Sequence, residues 1–397
     1  MGIKHCCYIL YFTLALVTLV QAGRLGEEVD ILPSPNDTRR SLQGCEAHNI
    51  IDKCWRCKPD WAENRQALGD CAQGFGKATH GGKWGDIYMV TSDQDDDVVN
   101  PKEGTLRFGA TQDRPLWIIF QRDMIIYLQQ EMVVTSDTTI DGRGAKVELV
   151  YGGITLMNVK NVIIHNIDIH DVRVLPGGRI KSNGGPAIPR HQSDGDAIHV
   201  TGSSDVWIDH CTLSKSFDGL VDVNWGSTGV TISNCKFTHH EKAVLLGASD
   251  THFQDLKMHV TLAYNIFTNT VHERMPRCRF GFFQIVNNFY DRWDKYAIGG
   301  SSNPTILSQG NKFVAPDFIY KKNVCLRTGA QEPEWMTWNW RTQNDVLENG
   351  AIFVASGSDP VLTAEQNAGM MQAEPGDMVP QLTMNAGVLT CSPGAPC

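Results

Sequence analysis

The chain has 397 residues, with 44 acidic against 35 basic side chains and a formal net charge of −9. Hydrophobic residues at 42% and charged residues at 20% are ordinary globular usage, which excludes a disordered or collagen-like chain. An acidic chain is also a poor partner for nucleic acid, whose phosphates call for many Lys and Arg.

In chain order, Met1-Gly2-Ile3-Lys4-His5 is a basic start, Cys6 to Val20 an apolar run and Val20-Gln21-Ala22 a small-residue cleavage site. Residues 1–22 therefore read as a signal peptide. The run is shorter than the about 20 apolar residues a membrane span needs. A secreted protein, free of the membrane once the signal is removed, is the expectation. Residues 23–44 read as a flexible lead with two prolines and a glycosylation sequon at Asn36.

Residues 45–115 form a Cys/Trp-rich cap segment. Cys54-x-x-Cys57 is half a zinc site, but an oxidising compartment favours disulfides. Cys54 with Cys71, across Trp55 and Trp61, is the preferred pair, the rest being open. Trp61 to Ala72 has helical periodicity, and 76–105 is Gly- and Asp-rich, with Asp95, Asp96 and Asp97 read as a solvated loop.

From about residue 116 to 330, short β-branched runs recur: Val162-Ile163-Ile164, Val206-Trp207-Ile208, Val230-Thr231-Ile232, Val260-Thr261-Leu262, Gln284-Ile285-Val286 and Thr305-Ile306-Leu307. Behind each comes an Asn or Cys, then an apolar residue two or three positions on. These are Asn166, Cys211, Cys235, Asn265, Asn288 and Asn311, spaced by 45, 24, 30, 23 and 23 residues. Repeats of about two dozen residues built of strands and turns indicate a parallel β-helix. Inward Asn can then form a ladder along the stack, with Cys as a small buried substitute. The 45-residue interval implies an excursion over 173–195, and long loops off a rigid stack are where sites are built. Residues 331–397 lose the repeat and read as an irregular C-terminal cap over the open end of the stack.

Four groups stand out chemically. Asp194 and Asp196 alternate, Asp218 and Asp222 sit four apart, and Lys242 follows Asp222 by 20 residues, about one coil. Carboxylates converging on neighbouring coils repel unless a hard cation bridges them, and calcium takes such oxygen ligands; separate turn aspartates would give the same spacing. Arg274-Met275-Pro276-Arg277-Cys278-Arg279 adds a cationic patch, which surface salt bridging would equally explain.

These stretches resemble the plant pectate lyases. The resemblance rests on Asp196-Ala197-Ile198-His199-Val200, Val206-Trp207-Ile208-Asp209-His210, Thr238-His239-His240-Glu241-Lys242, and Arg274-x-Pro276-x-x-Arg279. The Cys/Trp segment and the signal are most similar to the ragweed pollen group of pectate-lyase-like allergens. The resemblance covers residues 45 to 330 and implies a right-handed, single-stranded parallel β-helix, all-β apart from its N-terminal helical, disulfide-bonded cap. It implies a calcium-dependent β-elimination of polygalacturonate (homogalacturonan) to 4,5-unsaturated oligogalacturonides, performed by a monomeric wall enzyme of pollen. Asp194, Asp196, Asp218 and Asp222 would hold Ca2+, Lys242 would grip a uronate carboxylate, Arg274 would be the base, and Arg279 would bind substrate beside it. Glu241 where Asp is usual, Cys211 and Cys235 where Asn is frequent, and Ser216-Phe217 before Asp218 put turnover rate in doubt. Two rivals are a polygalacturonase-type hydrolase, needing two acids without metal, and a non-catalytic wall protein that kept the fold. Histidines 199, 210, 239 and 240 read as hydrogen-bonding turn residues, and Trp225, Phe282 and Trp293 as sugar platforms or packing.

Overall fold

The computed structural model describes residues 45–397 apart from Asn183, so the signal, the lead and Asn36 lie outside the described residues. Three long parallel sheets wind into one right-handed β-helix, with ten, nine and nine strands. All six β-branched runs fall in the ten-stranded sheet, stacked in register: Val162, Val206, Val230, Val260, Phe283 and Ile306 form one column. The runs are continuous rather than alternating because both faces of this sheet are covered. Val206 and Ile208 face the helix interior, whereas Trp207 packs outward under Trp55, Trp61 and Leu68.

In the second sheet, Leu213, Phe237, Phe267, Tyr290 and Phe313 stack in register, with neighbouring rings of the last four 4.4–5.0 Å apart. Just before them runs the asparagine ladder. The Asn265 backbone N–H and Nδ2 both donate to Asn288 Oδ1 at 2.9 Å, and those of Asn288 donate to Asn311 Oδ1 at 2.8 and 3.0 Å. Asp345 closes the ladder by accepting from the Asn311 N–H at 2.7 Å. Asn166 is not in this column. It sits one residue earlier, at a left-handed turn position with φ 60°, and bonds Leu389 instead; Ile167, level with Cys211, takes the ladder position. Cys211 and Cys235 are free thiols. Truncating Asn288→Ala strands buried donors above and acceptors below, so we expect a loss of roughly 3 kcal/mol, measurable as a lowered denaturant midpoint.

The coils extend past both compositional boundaries. Asp86–Val90 pairs with Leu116–Phe120, while Trp340–Gln343 and Val346–Glu348 add a last coil. Asp86, Ile87 and Met89 are exposed on their edge strand, so its apolar run Ile87-Tyr88-Met89-Val90 is only partly buried. Nor does the tail only cap the open end. It runs back along the outer face, meeting Gln284 at Met371, Asn287 at Glu374, Asn234 at Gly387 and Asn166 at Leu389. It finishes where Arg56 donates to the Cys397 carbonyl at 2.8 and 3.1 Å.

The cap segment holds an α-helix, Ile50–Trp55, started by Asn49 accepting from the Asp52 N–H, whereas the periodic stretch forms only a 3-10 helix, Arg65–Asp70. Cys54 is bonded to Cys71, Cys45 to Cys57 and Cys391 to Cys397. Asp95 departs from the solvated-loop expectation: it is buried and grips the buried Arg107 through both oxygens at 2.6 and 2.7 Å. No helix among the described residues is long and apolar enough to cross a membrane.

Candidate functional site

The third sheet carries the polar constellation. Its strands Ile198–Thr201, Gly219–Asn224, His240–Leu246 and Arg277–Arg279 lie side by side. The register differs from the one the spacing suggested: Asp222 pairs with His199 on one side and Leu245 on the other, while Lys242 pairs with Gly219. Asp222 and Lys242 are therefore offset by three residues along the strands. Asp194 and Asp196 precede the strand Ile198–Thr201 rather than sharing its face.

Their carboxylates nevertheless converge. Asp196 is buried; its Oδ1 accepts from the Gly219 N–H at 2.7 Å and its Oδ2 lies 3.2 Å from His199 Nδ1. Asp194, with a side chain 63% exposed, reaches the same nitrogen at 3.3 Å. Asp222 is buried, and its Oδ1 has no hydrogen-bond partner among the described residues. Two glycines make room. Gly195 takes φ +90° between the two aspartates, and a Cβ on Gly219 would sit 2.3 Å from Asp222 Oδ1 and 3.1 Å from Asp196 Oδ1.

Electrostatics follow from this crowding. Burial, with Asp196 alongside, holds the Asp222 carboxyl well above its ordinary range. Burial opposes a charge on His199, yet Asp194, Asp196 and Asp222 outweigh it and push its pKa up to about 10. A buried carboxyl with an unsatisfied oxygen beside two further acids suits a hard, oxygen-seeking cation, whose charge would favour the ionised form. Carboxylate oxygens of Asp194 and Asp196 and a ring nitrogen of His199 lie within 4.8 Å of one another. Asp218 stands apart, bound to Lys242 Nζ at 2.6 Å. His199 is the member that sequence reasoning set aside as a turn residue. The pattern Asp194-x-Asp196-x-x-His199 was the available signal, since a residue three beyond a carboxylate at a strand entry can turn back toward it.

Beyond Lys242 lie the arginines. Arg274, half-buried at φ 60°, makes no side-chain hydrogen bond or ion pair among the described residues, and its Nε is buried without a partner. Arg279 is tied down, donating to Asp250 Oδ1 at 2.9 Å and the Gly247 carbonyl at 2.7 Å. Ser301 and Ser302 donate to the same Asp250 oxygen at 2.6 and 2.7 Å. Arg277 donates to Thr328 at 3.1 Å. Of the three aromatic candidates, Phe282 and Trp293 are buried in packing, while Trp225 is 53% exposed and lies tilted at 38° against the His252 ring, 4.3 Å away. His210 is buried against Asp52 at 2.8 Å, and His240 meets the Asp218 carbonyl at 2.6 Å.

Comparison with known proteins places these features in a family. The family model for pectate lyase matches residues 126–328. The chain is 99% identical to "Pectate lyase 4" of Ambrosia artemisiifolia over the whole of both chains. The crystal structure of jun a 1, the major allergen from cedar pollen, superposes with a TM-score of 0.84 at 48% identity, covering 86% of this chain and all of that one. A pectate lyase from Bacillus sp. N165 in complex with trigalacturonate shares the fold at 21% identity and TM-score 0.58, covering 80% and 98%.

Proposed function

The chain belongs to the pectate lyase family, and from that premise we propose that it cleaves polygalacturonate by calcium-assisted β-elimination. The observation carrying this is the buried, unsatisfied Asp222 carboxylate among acids, one coil from Lys242 and close enough to Arg274 to feel its charge. Asp194, Asp196 and Asp222, with Asp218 at the rim, would hold Ca2+. When bound there, the ion would withdraw charge from a uronate carboxylate and so acidify the C5 proton beside it.

The chain's own residues do the rest. Lys242 and Arg279 present cations to the uronate carboxylates, offsetting the net charge of −9 on the one face the polyanion meets. Arg274 takes the C5 proton; the electrons of that bond form the C4–C5 double bond, the C4–O4 bond breaks, and the departing oxygen is protonated by water. An arginine acting as base must first give up its own proton, so activity should be greatest at alkaline pH. Secretion to the cell wall, a pollen source and allergenicity belong to the same reading. They are supported by the signal-like start and by similarity to the cedar pollen allergen.

Purified protein with calcium and de-esterified polygalacturonate should release unsaturated, ultraviolet-absorbing oligogalacturonides. Chelator should abolish the signal and added calcium restore it. Reducing ends appearing without that absorbance would indicate hydrolysis by two acids instead, and no product at all would leave a non-catalytic wall protein.

A further inference from the structure

Asp194 is the least constrained of the cluster. It is exposed, its side chain in bonding reach of His199 at 3.3 Å and near enough to Arg190 to feel its charge, and it ends the long excursion over 173–195. Its position must come from whatever anchors that excursion. The base is closed by Leu175 and Ser193, whose backbone N–H and side-chain bonds exchange at 2.9 Å. Within it, Gly178–Ile180 and Ile188–Arg190 pair as an antiparallel hairpin. Arg190, the hairpin's last residue and four before Asp194, reaches back to the sheet. Its Nε and Nη2 donate to Glu131 at 2.7 and 3.2 Å, and its Nη1 lies 3.0 Å from Met157 Sδ.

Glu131 is built for this grip. It is buried at 7% exposure and takes a further bond from Thr155 Oγ1 at 2.6 Å. Thr155 is the in-register neighbour of His199. The anchor therefore stands on the same sheet as the acidic cluster, with Glu131 two coils before it and Thr155 on the coil between. A bidentate Arg–carboxylate pair, with Glu131 buried and Arg190 partly so, fixes orientation as well as distance.

We propose that the Glu131–Arg190 ion pair is the positioning device for Asp194, fixing the end of the excursion against the sheet and so setting the affinity of the carboxylate cluster for a divalent cation. This rests on the calcium reading above. Groups that orient ligands without touching the metal commonly cost about 10- to 100-fold in affinity when removed.

Calcium chloride titrated calorimetrically into the full chain tests it. Arg190→Gln and Glu131→Gln should each raise the Kd about 10-fold, and the double variant no further than the worse single, because both remove one ion pair. Arg190→Lys should recover part of the affinity. In steady-state assays the calcium concentration for half-maximal rate should rise in parallel, with kcat returning to the wild-type plateau at saturating calcium. Circular dichroism confirms folding of each variant. Calcium affinity within twofold of wild type in Arg190→Gln and Glu131→Gln, while Asp194→Asn weakens it, would overturn the inference and leave the calcium reading standing. So would a lowered kcat plateau without a change in Kd. If the wild-type chain itself takes up no calcium, the calcium reading fails and takes this inference with it.

Discussion

Arg274→Lys should lower kcat on polygalacturonate by about 10²- to 10⁴-fold with KM within a few-fold of wild type. Each neighbouring cation has a partner in the chain that orients it: Lys242 has Asp218, Arg279 has Asp250 and Gly247, and Arg277 has Thr328. Arg274 alone among these makes no side-chain bond within the described chain, so it is the group free to approach a substrate proton. Lysine keeps a cation near the site, and substrate attraction should survive. It lacks the reach and planar geometry of the guanidinium, so proton removal should not. Initial rates of ultraviolet-absorbing product across substrate concentration separate the two terms. An unchanged kcat would remove Arg274 as the base. Lys242→Ala, by contrast, should act on KM as well as kcat, since it removes a cation that also greets the ground-state carboxylate.

The largest stability effect should come from Asp141→Asn, at about 3–5 kcal/mol at neutral pH. Asp141 is fully buried between the ten-stranded sheet and the Cys/Trp cap. Its oxygens accept from Arg143 Nε at 2.8 Å, Arg143 Nη2 at 2.7 Å, Trp117 Nε1 at 3.0 Å and Arg65 Nη1 at 3.3 Å. Those arginines also lie over the rings of Trp55 and Trp61, so one carboxylate organises the whole cap interface. An amide there leaves buried cations short of their counter-charge and turns one acceptor into a donor facing them. Burial by itself would raise the Asp141 carboxyl, but Arg143 and Arg65 overcome it and hold it far below the usual carboxylate range. Because the folded value is depressed, this stabilisation is fully present above the unfolded value of about 3.9 and fades as pH falls below it. Denaturant midpoints of wild type and Asp141→Asn should therefore lie far apart at pH 7 and draw together below about pH 4. Equal midpoints at pH 7, or a gap indifferent to pH, would refute this.

Legibility of the sequence was uneven for physical reasons. The β-branched runs and the aromatic column were readable because a stack of near-identical coils repeats its inward positions. The ladder was readable at Asn265, Asn288 and Asn311 but misplaced at Asn166, where a left-handed turn residue of the same type stands one position from the column. The first coil was missed because Ile87-Tyr88-Met89-Val90 sits in a Gly- and Asp-rich stretch, and the last because Trp340–Gln343 and Val346–Glu348 carry few apolar residues. The helix Ile50–Trp55 is too short for periodicity to register, and the returning tail makes its contacts through scattered backbone groups, which composition does not reveal.

By itself the sequence determined the coil repeat, the disulfide-rich cap and the set of chemical groups, because these depend on residue type and local period. Only the tertiary structure decided which groups meet. Coil length varies with each turn, and a change of one residue shifts every partner along the sheet. That is why Asp222 stands opposite His199 rather than Asp196, why His199 joins the acids, and why Asp218 belongs with Lys242. The anchoring of Asp194 through Arg190 to Glu131 spans 59 residues of chain, a contact that no local pattern encodes.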